Sequence, residues 1–270
     1  MIHIENLDMV FGAGTPDENT ALRNINLTIQ EGDFITLIGS NGAGKTTLYN
    51  VISGTCIPSS GRIFLRDEKK QVNKEITKDA EYKRARYIGR IFQNPLLGTA
   101  GSMTLADNMM ICYKKGYKGL KISLNKKMRE YFREQLRILD MGLENRLGDN
   151  VELFSGGQRQ ALTLLMTVMS HPSLLLLDEH TAALDPRNAE IIMTLTLRFA
   201  LEYKLTVMMI THNISHALEY GNRLLMMDGG EVILNICEEE KAKLTTDGVV
   251  QRFRDIKKRE LASDKMLLSD

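Results

Sequence analysis

Apolar and polar residues alternate roughly over residues 2–10 and again over 21–29, most plainly in Leu22-Arg23-Asn24-Ile25-Asn26-Leu27-Thr28-Ile29. A period of two marks strands with one buried face. A turn-rich loop, residues 12–19, separates them, and Glu31-Gly32-Asp33 turns the chain into a continuous apolar strand at 34–38, followed by a glycine-rich loop and a helix over 45–53. Ser59-Ser60-Gly61 leads into a strand at 62–66, residues 68–81 read as a polar surface excursion, and a further strand runs from 87 to 92. From about 94 to 170 the period is mainly helical, clearest over 121–139, as in a helical lobe inserted into a sheet domain. Strand character returns at 173–177 as an unbroken apolar run, the pattern of a parallel strand covered on both faces. A helix at 187–203, a strand at 205–210, a short helix at 214–220 and strands at 223–227 and 231–234 complete the series. Alternating strands and helices predict an α/β fold with an open, mostly parallel sheet, behind an N-terminal antiparallel β unit. The Met pairs Met208, Met209 and Met226, Met227 fall within strands and read as core filler.

Charge adds an exclusion. Lys plus Arg (35) nearly cancels Asp plus Glu (34) among 270 residues, so no overall basic field favours nucleic acid as a partner. The longest apolar stretch, 161–169, is far short of the roughly 20 residues that span a bilayer, and the first residues lack a basic and an apolar region of the signal-peptide kind. Three widely spaced cysteines, Cys56, Cys112 and Cys237, fit reduced thiols packed as small buried hydrophobes in a cytoplasmic compartment. After Cys237 the chain turns polar, with Glu238-Glu239-Glu240 and Lys257-Lys258-Arg259-Glu260, as on a solvated face.

Three stretches carry chemistry. Gly39-Ser40-Asn41-Gly42-Ala43-Gly44-Lys45-Thr46, followed by Thr47, lies between an apolar strand and a helix. Glycines let several N–H groups converge on one anion at a helix N-terminus, Lys45 reaches the β- and γ-phosphates, and the Thr46 hydroxyl ligates Mg²⁺. By itself this phosphate loop also suits a kinase or a GTPase. Leu174-Leu175-Leu176-Leu177-Asp178-Glu179 is an apolar strand ending in two carboxylates at the carboxyl edge of the sheet. Asp178 is placed to hold Mg²⁺ and Glu179 to orient or deprotonate an attacking water. Ser155-Gly156-Gly157-Gln158 opens a helix and forms a second anion site.

These motifs, in this order, resemble the ATP-binding cassette (ABC) ATPases over residues 1–236, with a helical subdomain at about 94–170 and a charged extension at 237–270. The resemblance implies a P-loop NTPase core binding ATP and Mg²⁺, with the phosphate loop as the Walker A motif. It also implies that Ser155, Gly156, Gly157 and Gln158 meet the ATP held by a second copy, so that two ATP molecules are sandwiched in a homodimer. Gln93 matches the Q-loop glutamine, which contacts Mg²⁺ and the attacking water. His212 matches the switch histidine at the γ-phosphate, Asp185 the D-loop at the dimer interface, and Phe11 the aromatic residue that stacks on adenine.

Two positions depart from the family pattern. Phe154 stands where Leu is usual, and His180 follows Glu179, which adds a titratable group beside the water. Within the family the chain resembles importer subunits that work on the cytoplasmic face of the membrane with a separate permease and an extracytoplasmic substrate-binding protein. Residues 103–108 are similar to the segment that faces the permease, and 179–186 to a subgroup of amino-acid uptake systems. The alternative reading is a non-transport ABC ATPase acting in translation or DNA repair.

Overall fold

The computed structural model describes residues 2–67, 72–113 and 124–267. Strands β1 (Ile2–Phe11) and β2 (Asn19–Ile29) pair antiparallel. Their inward residues change phase midway: β1 buries Ile2 and Ile4, then Leu7 and Met9, and β2 buries Leu22, then Ile25, Leu27 and Ile29. An uncompensated one-residue slip would turn each strand inside out. The shift is taken up at Asn6 and Asn24, which have positive φ (45° and 44°) where the register breaks. Asn tolerates that region, and both backbone N–H groups are satisfied, Asn6 by the Asn26 side-chain oxygen and Asn24 by the Asp8 carboxylate. The rough alternation of the sequence is therefore two regular alternations joined by bulges.

β4 (Ser60–Asp67) and β5 (Val72–Glu75) extend this sheet in the order β2-β1-β4-β5. A second sheet has the order β10-β9-β3-β8-β7-β6, comprising β3 (Phe34–Gly39), β6 (Ile88–Ile91), β7 (Leu174–Asp178), β8 (Val207–Ile210), β9 (Arg223–Asp228) and β10 (Glu231–Cys237). All its pairings are parallel except the return of β10 on β9. Its central strands are apolar on both faces because both are covered. Leu174, Leu176, Met208 and Ile210 pack with the first sheet and α1 (Lys45–Ser53). Leu175, Leu177, Val207 and Met209 pack on the other side with the helices α3 (Leu105–Tyr113), α4 (Lys126–Arg137), α5 (Gly156–Met169) and α6 (Pro186–Glu202). The helix expected over 121–139 is α4, with residues 121–123 outside the described ones.

The structure amends three sequence expectations. The polar stretch 68–81, of which 68–71 lie outside the described residues, is mostly exposed as expected but is not irregular: it forms the edge strand β5, turns Ile76 and Thr77 inward and enters α2 (Glu81–Arg84). The extension after Cys237 is helical and largely solvated, with Glu238, Glu239 and Glu240 exposed and the side chains of 257–260 outside the described residues, but it carries one inward seam that the charge pattern did not predict. Its α8 (Glu238–Lys241) and α9 (Thr246–Leu267) follow β10, and Val249 and Phe253, one helical turn apart, pack with Ile38, Leu224, Met226 and Ile236. Lys241 is buried beside them, its ammonium bonded to the carbonyls of Tyr220 and Gly221 and its pKa pushed down to about 8 by burial. Of the three free thiols, Cys237 is exposed because it is the last residue of β10.

Arg84, 1% exposed, is the largest fully buried side chain among the described residues. It donates to Val51 O (2.6 Å) and Ile52 O (2.9 Å) in the last turn of α1, and to Thr77 O (2.7 Å) and Asp79 O (2.9 Å). It thus satisfies carbonyls that the end of a helix leaves open and anchors the helix that follows the phosphate loop. Replacing Arg84→Met strips four carbonyls of their donor. We expect a loss of about 2–4 kcal/mol in urea denaturation, and unchanged stability would show that the α1 terminus needs no such anchor.

Candidate active site

The carboxyl edge of the parallel sheet gathers the chemistry. β3 ends at Gly39, where a Cβ would lie 2.1 Å from Met227 O on β9. Gly44, just before α1, has φ +95 and would bring a Cβ within 2.5 Å of Ala21 O. Only glycine lets the loop pass between β1/β2 and β9 at both points. Ser40 Oγ donates to Asp228 Oδ1 at the end of β9 (2.7 Å), and Lys45 Nζ donates to Gly39 O and Ser40 O (2.8 Å each). Burial pulls the Lys45 pKa down, and the Glu179 and Asp178 carboxylates oppose that shift.

A cleft of about 300 Å³ opens beside the loop. It is lined by Phe11, Asn19 and Ala21 from the antiparallel sheet, by residues 41–47, and by Glu179 and His212. Glu179 has left-handed backbone (φ 45°), uncommon for a residue with a Cβ, and its Oε1 lies 2.5 Å from His212 Nε2. Asp178 sits deeper, buried at the end of β7 and paired with Arg90.

The remaining predicted residues lie outside that cleft. Gln93 is exposed just beyond β6. Ser155 caps α5 in a capping box with Gln158: its Oγ accepts from Gln158 N, and Ser155 N donates to Gln158 Oε1. Asp185 caps α6 by accepting from Asn188 N (3.1 Å), and its carboxyl is held below the usual range by its bonds to Asn188. The two helix starts adjoin, since a Cβ on Gly157 would lie 2.7 Å from Asn188 Oδ1. Gly156, Gly157 and Asp185 thus share one face, separate from the cleft on the same chain.

The match to a family model decides what this arrangement is. Residues 22–182 match the model described as ABC transporter. The chain belongs to the ABC transporter family. It is 41% identical to a tyrosine transport ATP-binding protein of Clostridioides difficile (strain R20291), covering 94% of this chain and 98% of that one. It is 30% identical to a phosphonates import ATP-binding protein of Ruegeria sp. (strain TM1040), covering 92% of each chain. A dimeric ATP-binding cassette in a post-hydrolysis state, bound to ADP and Pi, superimposes with a TM-score of 0.72 at 26% identity, covering 88% of this chain and 99% of that one. The cassette is an ATPase and the ATP-binding subunit of an ABC importer.

His180 does not sit beside the attacking water. Its ring turns into the core, 2% exposed, with Nε2 3.0 Å from Thr196 Oγ1 on α6. The Thr196 hydroxyl donates to Ile192 O, which assigns the imidazole as the donor through Nε2.

Sequence reasoning passed over three residues. Gln160 on α5 is buried and donates to His180 O (2.7 Å) and Phe92 O (3.3 Å), joining the backbone next to Glu179 to that next to Gln93. Asp228 ends an apolar strand as Asp178 does, which was a readable signal. Arg90, a lone charge inside the short strand β6, was another.

Burial lowers the His180 pKa from 6.5 to about 4. The unfolded chain therefore binds the proton first, and stability falls as the pH drops from 6.5 towards 4. Between pH 7.5 and 5 we expect His180 to remove about 2 kcal/mol, and His180→Gln to lose that part of the pH dependence in urea melts. An identical profile in both proteins would place the ring in water.

Proposed function

We propose that two copies of this chain close around two ATP molecules on the cytoplasmic face of a membrane and drive amino-acid uptake, tyrosine among the substrates, through a separate permease fed by an extracytoplasmic binding protein. The observation that carries the two-copy reading is the division of the site. The cleft is lined by Lys45, Glu179 and His212, whereas the capped N-terminus of α5 with Ser155, Gly156, Gly157 and Gln158 is not part of its lining. A two-fold dimer brings each helix start to the partner's cleft and makes both sites complete. The solved relative is itself dimeric.

Within that reading the backbone N–H groups of residues 39–47 cradle the phosphates, Lys45 neutralises them, and Phe11, 40% exposed at the mouth of the cleft, stacks on the adenine. Thr46, Asp178 and Gln93 would hold Mg²⁺. These are hard oxygen donors, and among the described residues there is no group of three or more His, Cys, Asp or Glu. That set suits an ion that keeps waters and takes phosphate oxygens rather than a full protein cage. Held by those residues, the ion would supply positive charge against the phosphates. Glu179 takes the proton of the attacking water, its carboxylate fixed by His212, and Asp185 lies at the dimer interface.

Permease docking is supported by the helical lobe, where Leu96 and Leu97 ahead of α3, Ile111 in its last turn and Leu153 ahead of α5 are each more than half exposed. Among the described residues no helix is long and apolar enough to cross a membrane, so contact with the bilayer would come through that partner. The 41% identity to a tyrosine transport protein, against 30% to a phosphonates import protein, supports the amino-acid class. Nucleic acid is not among the partners we assign, and the translation and repair alternative is not favoured by import relatives spanning nearly the whole chain.

Glu179→Gln is expected to lower ATP hydrolysis on the order of 10²- to 10⁴-fold while a stable ATP-bound dimer accumulates on size exclusion; wild-type turnover would remove Glu179 as the base. Lys45→Ala should instead abolish binding of a fluorescent ATP analogue. Cells lacking the chain should lose uptake of labelled tyrosine, and undiminished uptake would overturn the substrate assignment.

A further inference from the structure

Arg90 lies in β6, three residues ahead of Gln93, between the buried glycine and isoleucine positions of the strand. Its side chain is 9% exposed, and one terminal nitrogen bonds Asp178 Oδ2 at 3.1 Å. The other bonds Asn50 Oδ1 on α1 at 2.7 Å, and the guanidinium sits 4.6 Å from the centre of the Phe92 ring. Its Nε is buried without a hydrogen-bond partner, so the fork is held by its tip and its ring contact. Lys45 and Tyr49, both on α1, also interact electrostatically with this carboxylate.

A guanidinium stays charged at any working pH, so Asp178 carries a permanent cationic neighbour that occupies one of its two oxygens. That has two consequences. The buried carboxylate is paired and fixed in direction before any metal ion arrives. A divalent cation at the same carboxylate meets a fixed like charge a few ångströms away, which at an effective dielectric near 20 weakens its binding measurably. We propose that Arg90 is a positioning residue that holds Asp178 in place and sets a deliberately modest Mg²⁺ affinity at this site. The tie also runs along the chain, because β6 leads directly through Phe92 into Gln93, the third oxygen donor assigned to the ion. Asn50 on α1 completes the link between the phosphate-loop helix, Asp178 and that strand.

The inference rests on the assignment of Asp178 to Mg²⁺ made above, and the test separates the two. The full chain saturated with ADP is titrated with Mn²⁺, and free ion is read by electron paramagnetic resonance, so no turnover enters the measurement. Arg90→Met is expected to bind Mn²⁺ about tenfold more tightly, with metal-free ADP affinity unchanged, and Arg90→Lys to stay near wild type because the charge is kept. Arg90→Gln, which still donates a hydrogen bond to Asp178, should show the same tightening and serves if the Met variant does not fold. Unchanged or weaker Mn²⁺ binding in both neutral variants overturns the proposal. Asp178→Asn should weaken Mn²⁺ binding and erase the effect of Arg90→Met; if Asp178→Asn alone leaves Mn²⁺ affinity intact, the metal assignment fails instead.

Discussion

The passage of the chain from β3 into α1, past the backbone of β9, is the constraint on which the rest of the site depends. Gly39 and Gly44 have no room for a side chain against Met227 O and Ala21 O, so the loop is squeezed between the two sheets. The squeeze turns the Ser40 hydroxyl onto Asp228 and Lys45 onto the loop carbonyls. It also sets the cleft at the junction of the antiparallel unit, which contributes Phe11, Asn19 and Ala21, and the parallel sheet, which contributes Glu179 and His212. Neither sheet alone encloses the space.

Buried polar and charged groups show how the fold supports this junction. Arg84 satisfies carbonyls in the last turn of α1, and Arg90 ties Asp178 to Asn50 on the same helix. Gln160 joins the turn after β7 to the exit of β6. Lys241 satisfies two carbonyls beneath α7 (Ile214–Glu219), the helix that follows His212. Arg84 and Lys241 donate to backbone carbonyls, the condition under which burial is tolerated, while Arg90 and Gln160 each keep one buried atom, Nε and Oε1, without a partner. Together they hold the elements that carry Lys45, Asp178, Glu179, Gln93 and His212.

Much of this was legible because it follows from local chemistry. The apolar runs ending in carboxylates, the glycines before Lys45 and the Ser155 cap announce themselves by spacing. The parallel sheet follows from strands that are apolar on both faces. What was not legible arises from contacts distant in sequence or from backbone turns of one residue. Polar composition over 72–84 hid the inward Ile76, Thr77 and Arg84. Mixed charge after Cys237 hid the seam of Val249 and Phe253. Adjacency of His180 to Glu179 in sequence does not bring its ring to the water, because neighbouring side chains face different ways and this one enters the core against Thr196.

By itself, the sequence determined the two periodicities, the phosphate loop, the carboxylates and the order of motifs, and with them the family. Those are properties of residue type at short spacing, where rotamer, glycine and capping preferences act. Only the tertiary structure decided which groups meet. It brought Glu179 to His212 and Asp178 to Arg90, and it held Ser155 and Asp185 away from the cleft on their own chain. Such meetings depend on sheet order and strand register, which no local preference encodes.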